Sequence, residues 1–110
     1  MKVAVVGSRG LKVNIGVYLP DKTTQIITGG AKGIDTLAER YAKENGIPVC
    51  ILKPEYRLLG AAAPLVRNEQ IVDKADMVVA IWDGVSRGTR HAIAHAEKTN
   101  KPVKVYVVKP

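Results

Sequence analysis

A doubly wound α/β domain with a mostly parallel five-stranded sheet is the fold class this sequence predicts, on three observations. Five apolar runs rich in β-branched residues alternate with stretches of helical periodicity. The first four runs are nearly continuous rather than alternating, as strands covered by helices on both faces require. Glycine-rich turns follow the first, second and fourth runs, where a strand must hand over to a helix.

Taken in order, "KVAVV" at residues 2–6 reads as the first strand. Residues 11–20, "LKVNIGVYLP", mix β-branched side chains with Gly16, which weakens a helix. A parallel second strand nevertheless demands a crossover there, so a short or irregular one is expected. "TQIIT" at 24–28 is the second strand. After it, Ile34, Leu37, Ala38, Tyr41 and Ala42 fall at i, i+3, i+4, i+7 and i+8 and form one apolar stripe, on a helix that Gly46 and Pro48 end. "PVCIL" at 48–52 is the third strand. The loop "KPEYRLLG" that follows is either a plain connection or a segment whose Tyr56 and Arg57 close over a ligand. A helix opens at Pro64, an acceptable first-turn residue, and runs through Leu65, Val66, Ile71 and Val72 to about Lys74. "MVVAIW" at 77–82 is the fourth strand, and a last helix from about Gly88 to Thr99 buries Thr89, Ala92, Ile93 and Ala96. "VKVYVV" at 103–108 alternates more clearly and reads as an edge strand.

At 110 residues the chain has room for one core, so residues 1–110 are expected to form a single domain. Hydrophobic residues at 46% and charged residues at 25% are ordinary globular usage. No run resembles a signal-peptide core or approaches spanning length, and the lone Cys50 lies in an apolar run without a disulfide partner. A cytoplasmic location and no membrane partner are expected. The formal net charge of +7 favours an anionic partner. The lysines are spread along helices and strand ends, however, where they serve solubility equally well. Charge alone does not choose between nucleotide, nucleic acid and neither.

In a doubly wound sheet, ligands sit at the carboxyl ends of the strands, near the point where strand order reverses. Three short motifs fall there. "GSRG" (Gly7, Ser8, Arg9, Gly10) follows the first strand, "GGAKG" (Gly29, Gly30, Ala31, Gly33) the second, and "DGVSRGT" (Asp83, Gly84, Ser86, Arg87, Gly88, Thr89) the fourth. Glycines allow close approach, and a following helix offers unpaired N–H groups to a phosphate. The spacing is not the dinucleotide fingerprint, whose first glycine would fall on Thr28, and no "GK[ST]" is present, so a P-loop is excluded. No cofactor is expected. The glycines alone also fit close helix–strand packing; the recurrence of Ser8, Ser86, Arg9 and Arg87 beside them favours a pocket for a phosphorylated, sugar-bearing ligand.

With these motifs in hand, "VVGSR", "ITGGAKGIDTLAERYAKENGIPV" and "PLVRNEQIVDKADMVVAIWDGVSRGT" together resemble the SLOG superfamily of three-layer Rossmann-like domains, most closely its small YspA-like members. The resemblance runs from residue 3 to 108 and is weakest between 11 and 22. It implies a nucleotide-derived ligand, such as an ADP-ribose-like molecule or a nucleoside monophosphate, bound across the rim loops. It also makes Arg67 and Asn68 site candidates. Two better-known relatives suggest alternatives. The LOG phosphoribohydrolases carry P-G-G-x-G-T-x-x-E, but the matching segment here is "GVSRGTRHA", which puts Ala92 where the catalytic glutamate belongs. Without that carboxylate, N-glycosidic hydrolysis of the LOG type lacks its acid–base group. DNA-processing protein A has a segment like "GGAKGID" and binds single-stranded DNA. Four Tyr, one Trp and no Phe offer few stacking platforms, so DNA is the second choice of partner.

Individual side chains carry two readings each. Asp35, in the first turn of its helix, either accepts hydrogen bonds from a ribose or complements the helix dipole. Were the protein an enzyme, Asp35, Arg67 and Glu69 would be the catalytic candidates, although the apolar stripe of their helix is made by the neighbours of Arg67 and Asn68, which leaves those two on a solvated face, and Glu69 reads as a surface acid. Trp82 either stacks on a base or fills the core. His91 and His95 have metal-ligand spacing, but "HAIAH" lacks a metalloprotease glutamate and no third histidine exists, so no metal is expected. A homodimer is compatible with the exposed helix faces.

Overall fold

The computed structural model describes residues 1–110. Five strands, β1 (Lys2–Gly7), β2 (Gln25–Thr28), β3 (Val49–Ile51), β4 (Met77–Trp82) and β5 (Val103–Val107), form one sheet in the order β3-β2-β1-β4-β5. Every pairing is parallel, so the sheet is wholly rather than mostly parallel. The chain winds outward from β1 to β3, crosses back to β4 beside β1, and winds outward again to β5. Strand order therefore reverses between β1 and β4, which opens a crevice at their carboxyl ends.

The continuous apolar runs divide between two faces. Val3 and Val5 of β1 meet Ile34, Ala38 and Ala42 of helix α1 (Ile34–Glu44), together with Leu11 and Ile15 of the first crossover. Ala4 and Val6 meet Ile71 and Val72 of α3 (Ala63–Lys74) and Ala92 and Ala96 of α4 (Arg87–Lys98). Each strand of this kind is covered on both sides, which gives three layers in an α/β Rossmann-like fold. The first crossover is a single 3-10 turn, Ile15–Tyr18, capped by Asn14 Oδ1 accepting from Gly16 N at 3.2 Å. β5 is an edge strand, with Tyr106 resting on Tyr18, ring centroids 4.9 Å apart. No helix is long and apolar enough to cross a membrane.

Two differences from the sequence reading bear on function. The loop after β3 contains a short helix, α2 (Tyr56–Leu59), and a 3-10 turn, Gly60–Ala62; residues 55–62 are all exposed, with Leu58 at 79%. On α3, Leu65 is 40% exposed, whereas the buried stripe is Ala63, Arg67 and Ile71 at i, i+4 and i+8. A charged residue occupies the middle of that stripe.

Two rim glycines serve packing. A Cβ at Gly7 would lie 2.5 Å from Ile34 Cβ, so its absence lets α1 lean onto β1. Gly33 has φ 79°, and a Cβ there would lie 2.4 Å from Arg9 O. Thr28, where the dinucleotide fingerprint would have its first glycine, is buried and donates to Val5 O at 2.9 Å, so this turn is built differently. Gly33→Ala is expected to lower unfolding free energy in urea by more than the roughly 1–2 kcal/mol that a left-handed backbone costs a non-glycine residue. Gly46→Ala, at φ 66° with nothing within 4 Å of the new Cβ, should lose only that cost. Equal losses at the two sites would show that the contact of Gly33 with the β1 loop carries no stability.

Candidate ligand-binding cleft

At the crevice lies a cleft of about 450 Å³. The end of β1 supplies Val6 and Gly7, the loop after it Ser8, Arg9 and Gly10, and the turn into α1 Ala31 and Asp35. α3 contributes Pro64, Leu65, Arg67 and Asn68, and the turn into α4 contributes Asp83, Ser86, Arg87, Gly88 and Thr89. Only 3 of its 16 lining residues are hydrophobic, so the cleft suits a polar ligand.

Its floor is a network of charge. Arg67 is 8% exposed; its Nη1 donates to Gly29 O at 2.9 Å and its Nε to Asn68 Oδ1 at 2.8 Å. Asn68 in turn donates through Nδ2 to Gly88 O at 3.1 Å, which ties α3 to the start of α4. Asp35, 6% exposed, accepts from Ala31 N at 3.3 Å. Gly29 sits between these two charged groups: a Cβ there would lie 2.6 Å from Arg67 Nη1 and 2.9 Å from Asp35 Oδ2. Burial pushes the Asp35 carboxyl up to about 6, against the lowering effects of the Ala31 amide and the Arg67 charge.

A second network fixes the turn after β4. Ser8 is buried, and its Oγ accepts from Asp83 N at 3.0 Å and lies 2.9 Å from Ser86 Oγ. Ser86 Oγ is 2.8 Å from each Asp83 carboxylate oxygen, and Asp83 Oδ1 accepts from Val85 N at 2.9 Å and Ser86 N at 2.8 Å. These bonds hold the Asp83 carboxyl down at about 2, with the Val85 and Ser86 amides the main cause. Ser86 is the N-cap of α4, yet its side chain is engaged with Asp83 and makes no cap bond. The first turn of α4, Arg87 to Thr89, therefore faces the cleft without a side-chain cap, and its amides and dipole are available to an anion. Exposed Arg9 and Arg87 add positive charge at the edges.

Not every expected site residue converges here. Gly29 and Gly30 line a second cleft of about 330 Å³, which also touches Arg9, Ala31 and Arg67. Gly33 packs beneath the β1 loop, and Gly84 takes a positive-φ turn position nearest Val107; neither lines a cleft. Glu69 lines neither cleft and its Oε2 lies 2.7 Å from His91 Nε2, while His95 Nε2 lies 2.7 Å from Asp73 Oδ1. The two histidines thus join α4 to α3. Trp82 lines neither cleft; its Nε1 donates to Ser86 O at 3.0 Å, and Arg90 lies over its ring at 5.5 Å. Pro64 and Leu65 line the cleft but were not expected, because the only sequence signal for them is that they lie one helical turn or less before Arg67. Fold and site together define a Rossmann-like α/β protein with a polar, arginine-bearing cleft at its switch point. Compared with known protein families, curated proteins and solved structures, the chain finds no match.

The raised Asp35 pKa sets a pH dependence. Between 3.8, the ordinary value, and about 6 the unfolded chain has released this proton and the folded protein retains it. Stability is therefore lost as pH rises from about 4 to about 6, by roughly 3 kcal/mol at 1.36 kcal/mol per pH unit of separation. Asp35→Asn should remove that loss and unfold at a higher temperature than the wild type at pH 7. Parallel melting-temperature profiles for the two proteins from pH 4 to 7 would place the Asp35 carboxylate in a solvated site instead.

Proposed function

We propose that the cleft binds a phosphorylated, sugar-bearing nucleotide ligand with a nucleoside monophosphate unit at its centre. The observation that carries this reading is Arg67: a guanidinium buried in a helix stripe, held by Gly29 O and Asn68, and opening onto a polar cleft beside an uncapped helix N-terminus. Asp35 offsets part of the cost of burying this charge, and the amides of α4 beside it add positive potential on the same side of the cleft, which favours an anionic partner. The phosphate rests against the first turn of α4 with Arg87 and Arg9 at its edges. Asp35 and Asp83, acceptor-only when ionised, face the sugar hydroxyls. The likeness of the three glycine motifs to SLOG domains points the same way.

Neither alternative gains support from the cleft. Tyr56 is the one aromatic residue lining either cleft, so successive DNA bases would find no row of stacking faces. Ala92 is fully buried among the core residues of α4, so a carboxylate at that position would face the sheet, away from the ligand.

Adenosine monophosphate at about 100 times its dissociation constant should stabilise the protein by roughly 2.7 kcal/mol in thermal unfolding. Arg67→Ala should weaken the nucleotide by about tenfold or more, which corresponds to at least 1.4 kcal/mol. Arg87→Ala, an exposed change that leaves the fold untouched, should weaken it by a smaller factor. Failure of the nucleotide to stabilise the wild type, or equal affinity in all three proteins, would overturn the assignment.

A further inference from the structure

We propose that the cleft takes up a proton together with its anion, and that Asp35 is the group that receives it, so that pH regulates the affinity of the site. This rests on the nucleotide reading above and extends it. Asp35, from α1, and Arg67, from α3, both line the first cleft and are 6% and 8% exposed. They converge on Gly29, where one added Cβ would meet Arg67 Nη1 at 2.6 Å and Asp35 Oδ2 at 2.9 Å. Yet they form no salt bridge with each other, since the three ion pairs of the protein lie elsewhere. Gly29 O and Asn68 Oδ1 hold Arg67, and the Ala31 amide holds Asp35. The two charges therefore act on each other through space, and a ligand need break no bond between them.

With Asp35 ionised, its charge offsets that of Arg67, and an anion entering the cleft meets little net attraction from the pair. With Asp35 protonated, the Arg67 charge stands alone and the carboxyl gains an O–H donor. A second negative charge in the same cleft also makes the Asp35 proton harder to lose. The bound protein then holds more protons than the free one, and affinity rises as pH falls. Burial already pushes this carboxyl up to about 6, against the Ala31 amide, the Arg67 charge, the Gly29 amide and the Thr28 hydroxyl, so it responds close to neutral pH. The charged groups around it hold their state over that range. Arg9 and Arg87 line the same cleft as permanent cations, Lys53 lines the adjoining one, and Asp83, held down at about 2, stays ionised. Of the strands beneath α1, β2 carries no charged residue and β1 only Lys2, at its amino end. The next carboxylate along α1, Glu39, pairs with Lys43 at 3.3 Å. His91 and His95 line neither cleft and face Glu69 and Asp73.

Calorimetric titration of the wild type and Asp35→Asn with adenosine monophosphate at pH 5, 6.5 and 8, each in two buffers of different ionisation enthalpy, tests this. The amide copies the neutral carboxyl, and titration of the nucleotide's own phosphate is common to both proteins. The wild type should match Asp35→Asn at pH 5 and bind about fivefold or more weakly than it at pH 8, the lower end of ordinary coupling between sites. At pH 6.5 the wild type should take up more protons on binding than the variant, read from the dependence of the heat on buffer. Adenosine monosulfate, whose charge is fixed over this range, gives the coupling without the variant: its affinity for the wild type should fall about fivefold or more from pH 5 to pH 8. A ratio of wild-type to variant affinity that is the same at every pH, or a monosulfate affinity that does not change, would overturn the coupling and leave the nucleotide reading standing. A variant weaker than the wild type at pH 8 would do the same, because it would make Asp35 an acceptor for the ligand. Failure of adenosine monophosphate to bind either protein would overturn both readings.

Discussion

Much of the rim depends on one buried cation. Arg67 occupies a position in α3 that the helix period assigns to the core, between Ala63 and Ile71. A guanidinium there is tolerable because Gly29, the residue that follows β2, presents its carbonyl oxygen within hydrogen-bonding distance, and because the neighbouring Asn68 accepts from its Nε. The same arrangement forbids a side chain at Gly29, whose Cβ would strike both Arg67 and Asp35. It also recruits Asn68, which carries the connection on to Gly88 and so to the start of α4. One charge thus links the end of β2, the middle of α3 and the N-terminus of α4.

The opposite wall is fixed by hydroxyls. Ser8 and Ser86 come from loops far apart in sequence, and their contact, with Asp83 bridging, closes the turn after β4 onto the turn after β1. Engaging Ser86 in this way leaves the first turn of α4 uncapped. In an ordinary surface helix that arrangement forgoes about 0.5–2 kcal/mol of capping stability. Here it keeps backbone donors open toward the cleft. Farther out, the Glu69–His91 and Asp73–His95 contacts join the outer parts of α3 and α4, so the two helices that frame the site are connected along their length.

The frame was legible because it follows from periodicity. Continuous apolar runs identified buried parallel strands, and the stripe from Ile34 to Ala42 identified α1, since both patterns are imposed by burial against a sheet. The convergence of the three rim motifs followed from topology alone: any doubly wound sheet brings the carboxyl ends of β1, β2 and β4 together. What periodicity misses is a polar residue in an apolar stripe. Arg67 stands four residues after Ala63 and four before Ile71, yet in the sequence its neighbours Leu65, Val66, Ile71 and Val72 make the visible apolar stripe, which leaves Arg67 on the solvated face. Nor does sequence show which rim glycines are also required by packing, because the contacts of Gly7 with Ile34 and of Gly33 with Ser8 and Arg9 join two motifs that only the folded chain brings together. The helix α2 was invisible because a four-residue segment has too few turns to show a period.

The central claim is that the cleft between β1 and β4, with Arg67 at its floor, holds the phosphate-bearing part of a nucleotide. Backbone amide shifts in a nitrogen–proton correlation spectrum, followed during titration with adenosine monophosphate, test it most directly. The account predicts the largest movements at Ser8 to Gly10, Ala31, Arg67, Asn68 and Arg87 to Thr89, with Asp73 and His95 on the outer parts of the same helices unmoved. Shifts confined to the exposed edge strand β5, or spread evenly over the basic surface and abolished by salt, would contradict it.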